Sequence, residues 1–382
     1  MSACVDFEGD VSQPFAVNCG VKQGCVLAPT LFGILLSTLL WIAFPLPNGI
    51  AVSTRSDGGL FNIARLRAKT KTITVLLREL MFADDAALCS HSEAELQGMC
   101  DGFNNACYKF GQTISVKKTV AFSTNAPPPH ITINESTLNT VEDFRYLGST
   151  ASFSGNLNRE VDTRIGQAAN LFGKLKSRAW DNKYLTKVRI YLSCVLSALL
   201  YGSEAWASHA HVERKLNSFH LRCLRKICGV TWSDKVPNLE ILRRCGTTSL
   251  YSIPKKRRLR WLGHVSRMDH SRLPHQVLYG QLADGKRGRG RPKLRFVDVC
   301  KRDLKLFNIA ADWEHLAQDR SAWRHKIHQG AEKLELDLEL NEFARRQKRH
   351  TPCQTTAFIC AVCGKHCKSK AGLVAHGRAH RR

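Results

Sequence analysis

Near its far end the chain carries Cys360, Cys363, His376 and His380 in the spacing Cys-x2-Cys-x12-His-x3-His. No other feature ties so few residues to so definite a local structure. Two cysteines three positions apart fit one tight turn, and two histidines four positions apart share a helix face. Four sulfur and nitrogen donors suit a tetrahedral Zn2+ ion, and because protein fills every position the ion is structural, with no place left for water. Residues 352–382 are therefore expected to form a small ββα zinc finger, with Phe358 and Leu373 packed over the metal. Cys367 stands where such units usually carry an aromatic ring, so the miniature core is expected to be loose and Cys367 is a competing ligand. The finger helix bears Lys368, Lys370 and Arg378 and suits a nucleic-acid groove. One finger reads only about 3 base pairs, so protein binding stays open as its role.

Charge supplies the second constraint. The 382 residues include 57 Lys and Arg against 32 Asp and Glu, a net +25, which favours polyanions. The basic residues cluster in KKRRLR, with Lys255, Lys256, Arg257 and Arg258, and in KRGRGRPKLR, with Arg289, Arg291 and Lys293. All seven are expected to contact phosphate, in RNA, DNA or both, with binding that weakens steeply as salt rises. The Arg-Gly-Arg-Pro core at 289–292 also fits an AT-hook lying in a narrow minor groove.

Two classes are set aside. The opening MSACVDFEGD is polar and acidic with no apolar run behind a positive start, so secretion is not expected. The fifteen cysteines are then read as reduced, in nucleus or cytoplasm, two of them on zinc. The uncharged stretch from Gln23 to Thr54 is interrupted by Pro29, Thr30, Ser37 and Thr38 and closed by Pro45 and Pro47. It is read as a buried helix over 30–44, apolar all round, rather than a membrane span.

The rest reads as an α+β chain. Thr72 to Leu80 is a strand, MFADD a turn and AALCS the returning strand, which makes a hairpin with Asp84 and Asp85 at its tip. Ser92 and Glu95 have capping-box spacing ahead of an amphipathic helix over 93–110. Short strands are expected near 113–122, 131–134 and 144–148. Three helical stripes follow: Val161 to Leu175, Tyr184 to Leu199 and Leu216 to Ile227. A further helix is expected over 313–340, with RRQKRH and Pro352 as a linker.

Adjacent aspartates at a hairpin tip are commonly solvated turn residues, but fixed on rigid strands they can also hold Mg2+. Their setting bears on the choice. GVKQGCVLAPTLF (20–32) precedes FADD (82–85), and ISVKKT (114–119) follows it. FRYLGS (144–149), LLYGSEAW (199–206), LRWLGHVSRM (259–268) and GRPKLRFVDVCKRDL (290–304) continue the series. In this order the motifs closely resemble the reverse transcriptases of non-LTR (LINE-type) retrotransposons. The resemblance implies that Asp84 and Asp85 are catalytic metal ligands, that Gln23 and Gly24 line the incoming nucleotide's pocket, and that Lys118 faces its triphosphate. Ser115 departs from the asparagine of that family's pattern. The FRYLGS strand then corresponds to the element that grips the primer end. The expected division is a partial palm over 1–125, primer-grip strands and a helical thumb over 126–250, a basic helical region over 251–345 and the finger over 352–382.

The family's palm also needs an earlier aspartate. Asp6 is too close to Gly20 to match it, so the first palm strand is expected to be missing and the Mg2+ site weak or dead. The expected function is a reverse transcriptase fragment, inactive by itself, that keeps nucleic-acid and zinc binding. The alternative is a non-enzymatic zinc-finger protein derived from a retroelement. Protein partners are not indicated.

Overall fold

Local sequence accounts for the two helices of the N-terminal part. In the computed structural model, Pro29 lies in the first turn of α1 (Ala28–Ala43), where its missing N–H costs no helical hydrogen bond. Ser92 caps α2 (Glu93–Lys109), its Oγ accepting the Glu95 N–H at 3.3 Å. The structure describes residues 2–17, 24–55, 66, 71–124, 126–181, 186–284, 293–309, 312–350, 358–367 and 370–380.

α1 and α2 pack together through Leu39, Ala43, Phe44, Met99, Ala106 and Cys107. The expectation of a fully buried α1 does not hold. Leu31, Phe32, Ile34, Trp41 and Ile42 are exposed, and only Leu39 and Ala43 of the helix are buried. An all-round apolar helix states how much surface needs covering, whereas among the described residues α2 covers one side only.

The strands are short. β1 (Ile50–Thr54) pairs antiparallel with β2 (Ile73–Leu77), Val52 opposite Val75. After a break at Arg78, β3 (Glu79–Phe82) turns back as β4 (Asp85–Leu88). Downstream, β5 (Asp143–Tyr146) and β6 (Ser149–Ser152) form a second hairpin. The strand expected near 113–122 is reduced to Val120–Ala121.

The three apolar stripes become α3 (Asn158–Lys174), α4 (187–199, with a π-helical turn at Tyr191–Val195) and α5 (Ala210–Ile227). With α6 (Asn238–Arg244) they enclose one core that includes Val161, Phe172, Tyr191, Leu199, Leu216 and Leu224. A second core lies around α7 (Ile253–Ser266), α8 (Leu273–Tyr279), α9 (Phe296–Leu306), α10 (Trp313–Gln318) and α11 (Arg320–His350), with Leu259, Phe307, Trp323 and Ile327 at its centre. The single helix expected over 313–340 is two helices, and the second runs through RRQKRH to His350 rather than ending in a linker. Asp319 makes the division, since its Oδ1 accepts the N–H groups of Ser321 and Ala322 at 2.7 and 3.1 Å. The chain ends in β7 (Phe358–Ile359), β8 (His366–Cys367) and α12 (Lys370–Ala379). No described helix is long and apolar enough to cross a membrane.

Candidate functional site

The terminal ββα unit gathers the four residues singled out by spacing. β7 pairs with β8, Phe358 opposite Cys367 and Ile359 opposite His366. The turn between them is closed by Gly364 N–H donating to the Cys360 carbonyl at 2.8 Å and Cys360 N–H to the Lys365 carbonyl at 3.0 Å. Gly364 takes a φ of 70°, which favours glycine there. That turn carries Cys360 and Cys363, while α12 carries His376 with His380 just past its end. Their ligand atoms all lie within 4.8 Å of one another. Cys363 Sγ is 3.0 Å from His376 Nε2, which is 3.1 Å from His380 Nε2. A tetrahedral zinc site places its donors about 3.3 to 3.8 Å apart, a range that the separations here, from 3.0 Å to at most 4.8 Å, bracket, and the donor chemistry suits zinc. The Cys360 thiol is pulled down by the backbone N–H groups of Cys363 and Val362, which favour the thiolate that a metal requires. Cys367, expected as a competitor, is not part of the gathered set.

The aspartates sit as the sequence implied, at the tip of the β3–β4 hairpin. Phe82 pairs with Asp85, leaving Ala83 and Asp84 as the two-residue turn. Ala83 has a φ of 51°, a left-handed conformation that costs an alanine about 1 kcal/mol. Both aspartates are exposed. The FRYLGS strand docks beside them: Tyr146 Oη donates to the Leu80 carbonyl at 2.8 Å. Burial pushes the Tyr146 hydroxyl up, and the Asp85 carboxylate and Cys89 push it further. Among the described residues, the Cys360 group is the one convergence of three or more His, Cys, Asp or Glu donors able to hold a metal. Asp84 and Asp85 therefore do not fit a two-ion Mg2+ site by themselves.

The remaining residues divide. Gln23 lies outside the described residues. Gly24 has a φ of 85°, a left-handed conformation that favours glycine, and a Cβ there would meet no described atom within 4 Å. Lys118 is exposed at the end of a turn whose amides return to the Ser115 carbonyl. Arg289 and Arg291 lie outside the described residues, while Lys293 is exposed and its Nζ donates to the Ser154 carbonyl.

The KKRRLR run is a correction. It lies in α7, and Lys255 and Arg258 are buried rather than turned to solvent. Lys255 pairs with Glu213 at 2.8 Å. Arg258, fully buried, pairs with Asp303 and donates to the Trp206 carbonyl at 2.9 Å and Ser208 Oγ at 3.1 Å. Arg257 donates to the Leu200 carbonyl at 2.6 Å, and Lys256 is half-buried. Lys255 and Arg258 cannot contact phosphate in this arrangement, because a helix that is basic all round must turn some charge inward when packed on two sides. The partners Glu213 and Asp303 were missed. Each is an acid within an apolar helical pattern, Glu213 beside Val212 and Leu216 and Asp303 beside Cys300 and Leu304, which is the available signal.

Residues 1–151 match the family described as reverse transcriptase (RNA-dependent DNA polymerase). The chain is 26% identical over 262 residues to a transposon-derived protein of Caenorhabditis elegans, covering 65% of this chain and 94% of that one. It is 28% and 24% identical, over 243 and 253 residues, to RNA-directed DNA polymerases from the mobile element jockey of Drosophila funebris and Drosophila melanogaster. Those matches take in 59% and 62% of this chain but 23% and 25% of the jockey polymerases, so it spans about a quarter of their length. Residues 1–151 thus match the reverse transcriptase family, and the chain is similar to polymerases of non-LTR retrotransposons.

Proposed function

We propose that this chain is a segment of a retrotransposon RNA-directed DNA polymerase, without polymerase activity by itself, that binds nucleic acid and carries a structural Zn2+. The carrying observation is the contrast between its two candidate metal sites. Cys360, Cys363, His376 and His380 form a complete N/S donor set, whereas Asp84 and Asp85 have no third donor gathered with them among the described residues. Two Mg2+ ions clamp the attacking and leaving oxygens of phosphoryl transfer, and two carboxylates are too few to hold both. Gln23, Gly24 and Lys118 keep the nucleotide-side roles that family likeness suggests. The proposed division is a palm segment over 1–125, primer-grip strands and thumb over 126–250, basic helices over 251–345 and a zinc finger over 352–382, in the nucleus or cytoplasm.

Primer extension on an RNA template with Mg2+ tests this, with Asp84→Ala alongside. No extension is expected from either protein. Extension by the unaltered chain that Asp84→Ala abolishes would overturn the inactivity. The second reading, a non-enzymatic zinc-finger protein derived from a retroelement, is favoured by the completeness of the Cys/His set. It requires nucleic-acid affinity to fall when His376→Ala removes a ligand, whereas the first reading keeps most affinity in the helical region.

A further inference from the structure

Most tryptophans here are interior. Trp180, Trp206, Trp313 and Trp323 are buried, but Trp232 is 92% exposed. Leaving an indole in water forgoes a large apolar stabilisation. The turn that holds it out is well braced. Past the end of α5, Gly229 takes a φ of 66° and Val230 N–H donates to the Arg225 carbonyl at 2.9 Å. Asp234 Oδ2 accepts from the Thr231 N–H and Oγ1 at 2.7 and 2.8 Å, and Lys235 N–H returns to the Trp232 carbonyl at 3.2 Å. Arg225 ties the far side by donating to the Val236 carbonyl at 3.0 Å and Asn238 Oδ1 at 2.6 Å.

Beside the indole lies an open groove of about 750 Å3, lined by Leu221, Arg222, Arg225, Lys226, Val230 and Trp232 among others, with no carboxylate among the described residues of its wall. Arg225 is committed to the turn. Arg222 and Lys226 are exposed one helical turn apart on α5, and neither pairs with a carboxylate among the described residues. The carbonyl end of α5 repels anions, but both cations stand on its flank, where they can hold a phosphate clear of that end.

We propose that this groove binds an unpaired nucleotide of single-stranded nucleic acid, its base stacked on Trp232 and its flanking phosphates held by Arg222 and Lys226. The proposal rests on the nucleic-acid-binding reading above and specifies a strand type and a place. A flat exposed ring is sequence-tolerant as a stacking platform, and the cations beside it match the phosphate spine. An acidic peptide shares the charge complementarity but makes less use of the open indole face.

The test uses the full zinc-loaded chain and fluorescence anisotropy with labelled oligo-U RNA, oligo-dT DNA and a blunt duplex. Trp232→Ala is expected to weaken both single strands about ten-fold and the duplex little, while Trp232→Phe keeps most affinity. Arg222→Gln with Lys226→Gln should lower the salt slope for single strands by about 1.4, the share of two phosphates. Unchanged single-strand affinity in Trp232→Ala, with its circular dichroism spectrum intact, overturns the site and leaves the groove to a peptide. Failure of the unaltered chain to bind any of the three probes overturns the nucleic-acid reading as well.

Discussion

At the scale of single residues the strongest constraints are buried charges. Asp303 and Arg258 are both fully buried, and Arg302 Nε stands 3.6 Å from Asp303 Oδ1. Burial raises the Asp303 carboxyl above its ordinary range, while Arg258, Lys255 and Arg302 draw it back down. Removing one partner leaves the other charge in the interior, so Asp303→Asn is expected to cost about 3 kcal/mol in urea unfolding. Lys215→Ala, which breaks only the exposed pair with Asp162, should cost about 0.5 kcal/mol or less. Equal losses would show that the buried Arg258–Asp303 pair matters no more than an exposed one. His220 gives a pH prediction. Tyr191 Oη lies 2.9 Å from its Nδ1 and the Thr248 carbonyl 3.2 Å from its Nε2, an arrangement that suits the neutral ring. Burial lowers it from 6.5 to about 4, with the Thr248 carbonyl opposing. Between those values the unfolded chain binds the extra proton, so stability is full above pH 6.5 and falls as pH drops towards 4, by roughly 3 kcal/mol. Denaturation at pH 7 and pH 5 should read about 2 kcal/mol of that loss, and His220→Gln should flatten the difference.

At the scale of elements, glycines distinguish helix faces in contact from helix faces that are open. A Cβ on Gly263 of α7 would overlap the Trp323 indole, whose Nε1 donates to the Leu259 carbonyl at 3.1 Å. Gly166 of α3 has open space around it. Both stand within helices, where alanine is intrinsically better by about 1 kcal/mol. Gly263→Ala is therefore expected to lower the thermal midpoint by forcing α7 and α11 apart, and Gly166→Ala to raise it slightly. A rise in both would mean that Trp323 can move aside at no cost. The same elements show what sequence could reveal. Helices at 158–174 and 210–227 and the capped start of α2 were legible because apolar periodicity and caps are local signals. The exposure of α1 and the burial of Arg258 were not, because each depends on what a distant segment places alongside. The reach of α11 to His350 was misjudged although Glu, Leu, Ala, Arg, Gln and Lys all favour helix and no glycine or proline intervenes between Ala331 and Pro352. The four Cys/His residues were the most legible part of the candidate site, since their spacing alone encodes turn and helix. Glu213 and Asp303 were hidden in apolar patterns.

At the scale of the whole molecule, the terminal unit differs in kind from the rest. Among the described residues, none of the four apolar clusters includes one from 358–380. Within the unit Cys360 is the buried residue among those described, while Val362 and Val374 are exposed. So small a unit buries too little apolar surface to offset chain entropy unaided, and under the proposed zinc reading metal binding supplies the folding free energy. The helical body needs no such help, because Leu216, Leu224, Leu259 and Ile327 close cores of their own. A strong zinc chelator is therefore expected to remove the circular-dichroism signal of the ten-residue α12 and expose Cys360 and Cys363 to alkylation, while the main cooperative transition stays in place. His376→Ala should reproduce that behaviour without chelator, and readded Zn2+ should restore the unaltered chain but not the variant. If the chelator instead lowers the main transition, the ββα unit is part of the body's stability. The separation between a self-supporting helical core and a metal-dependent tail would then be wrong.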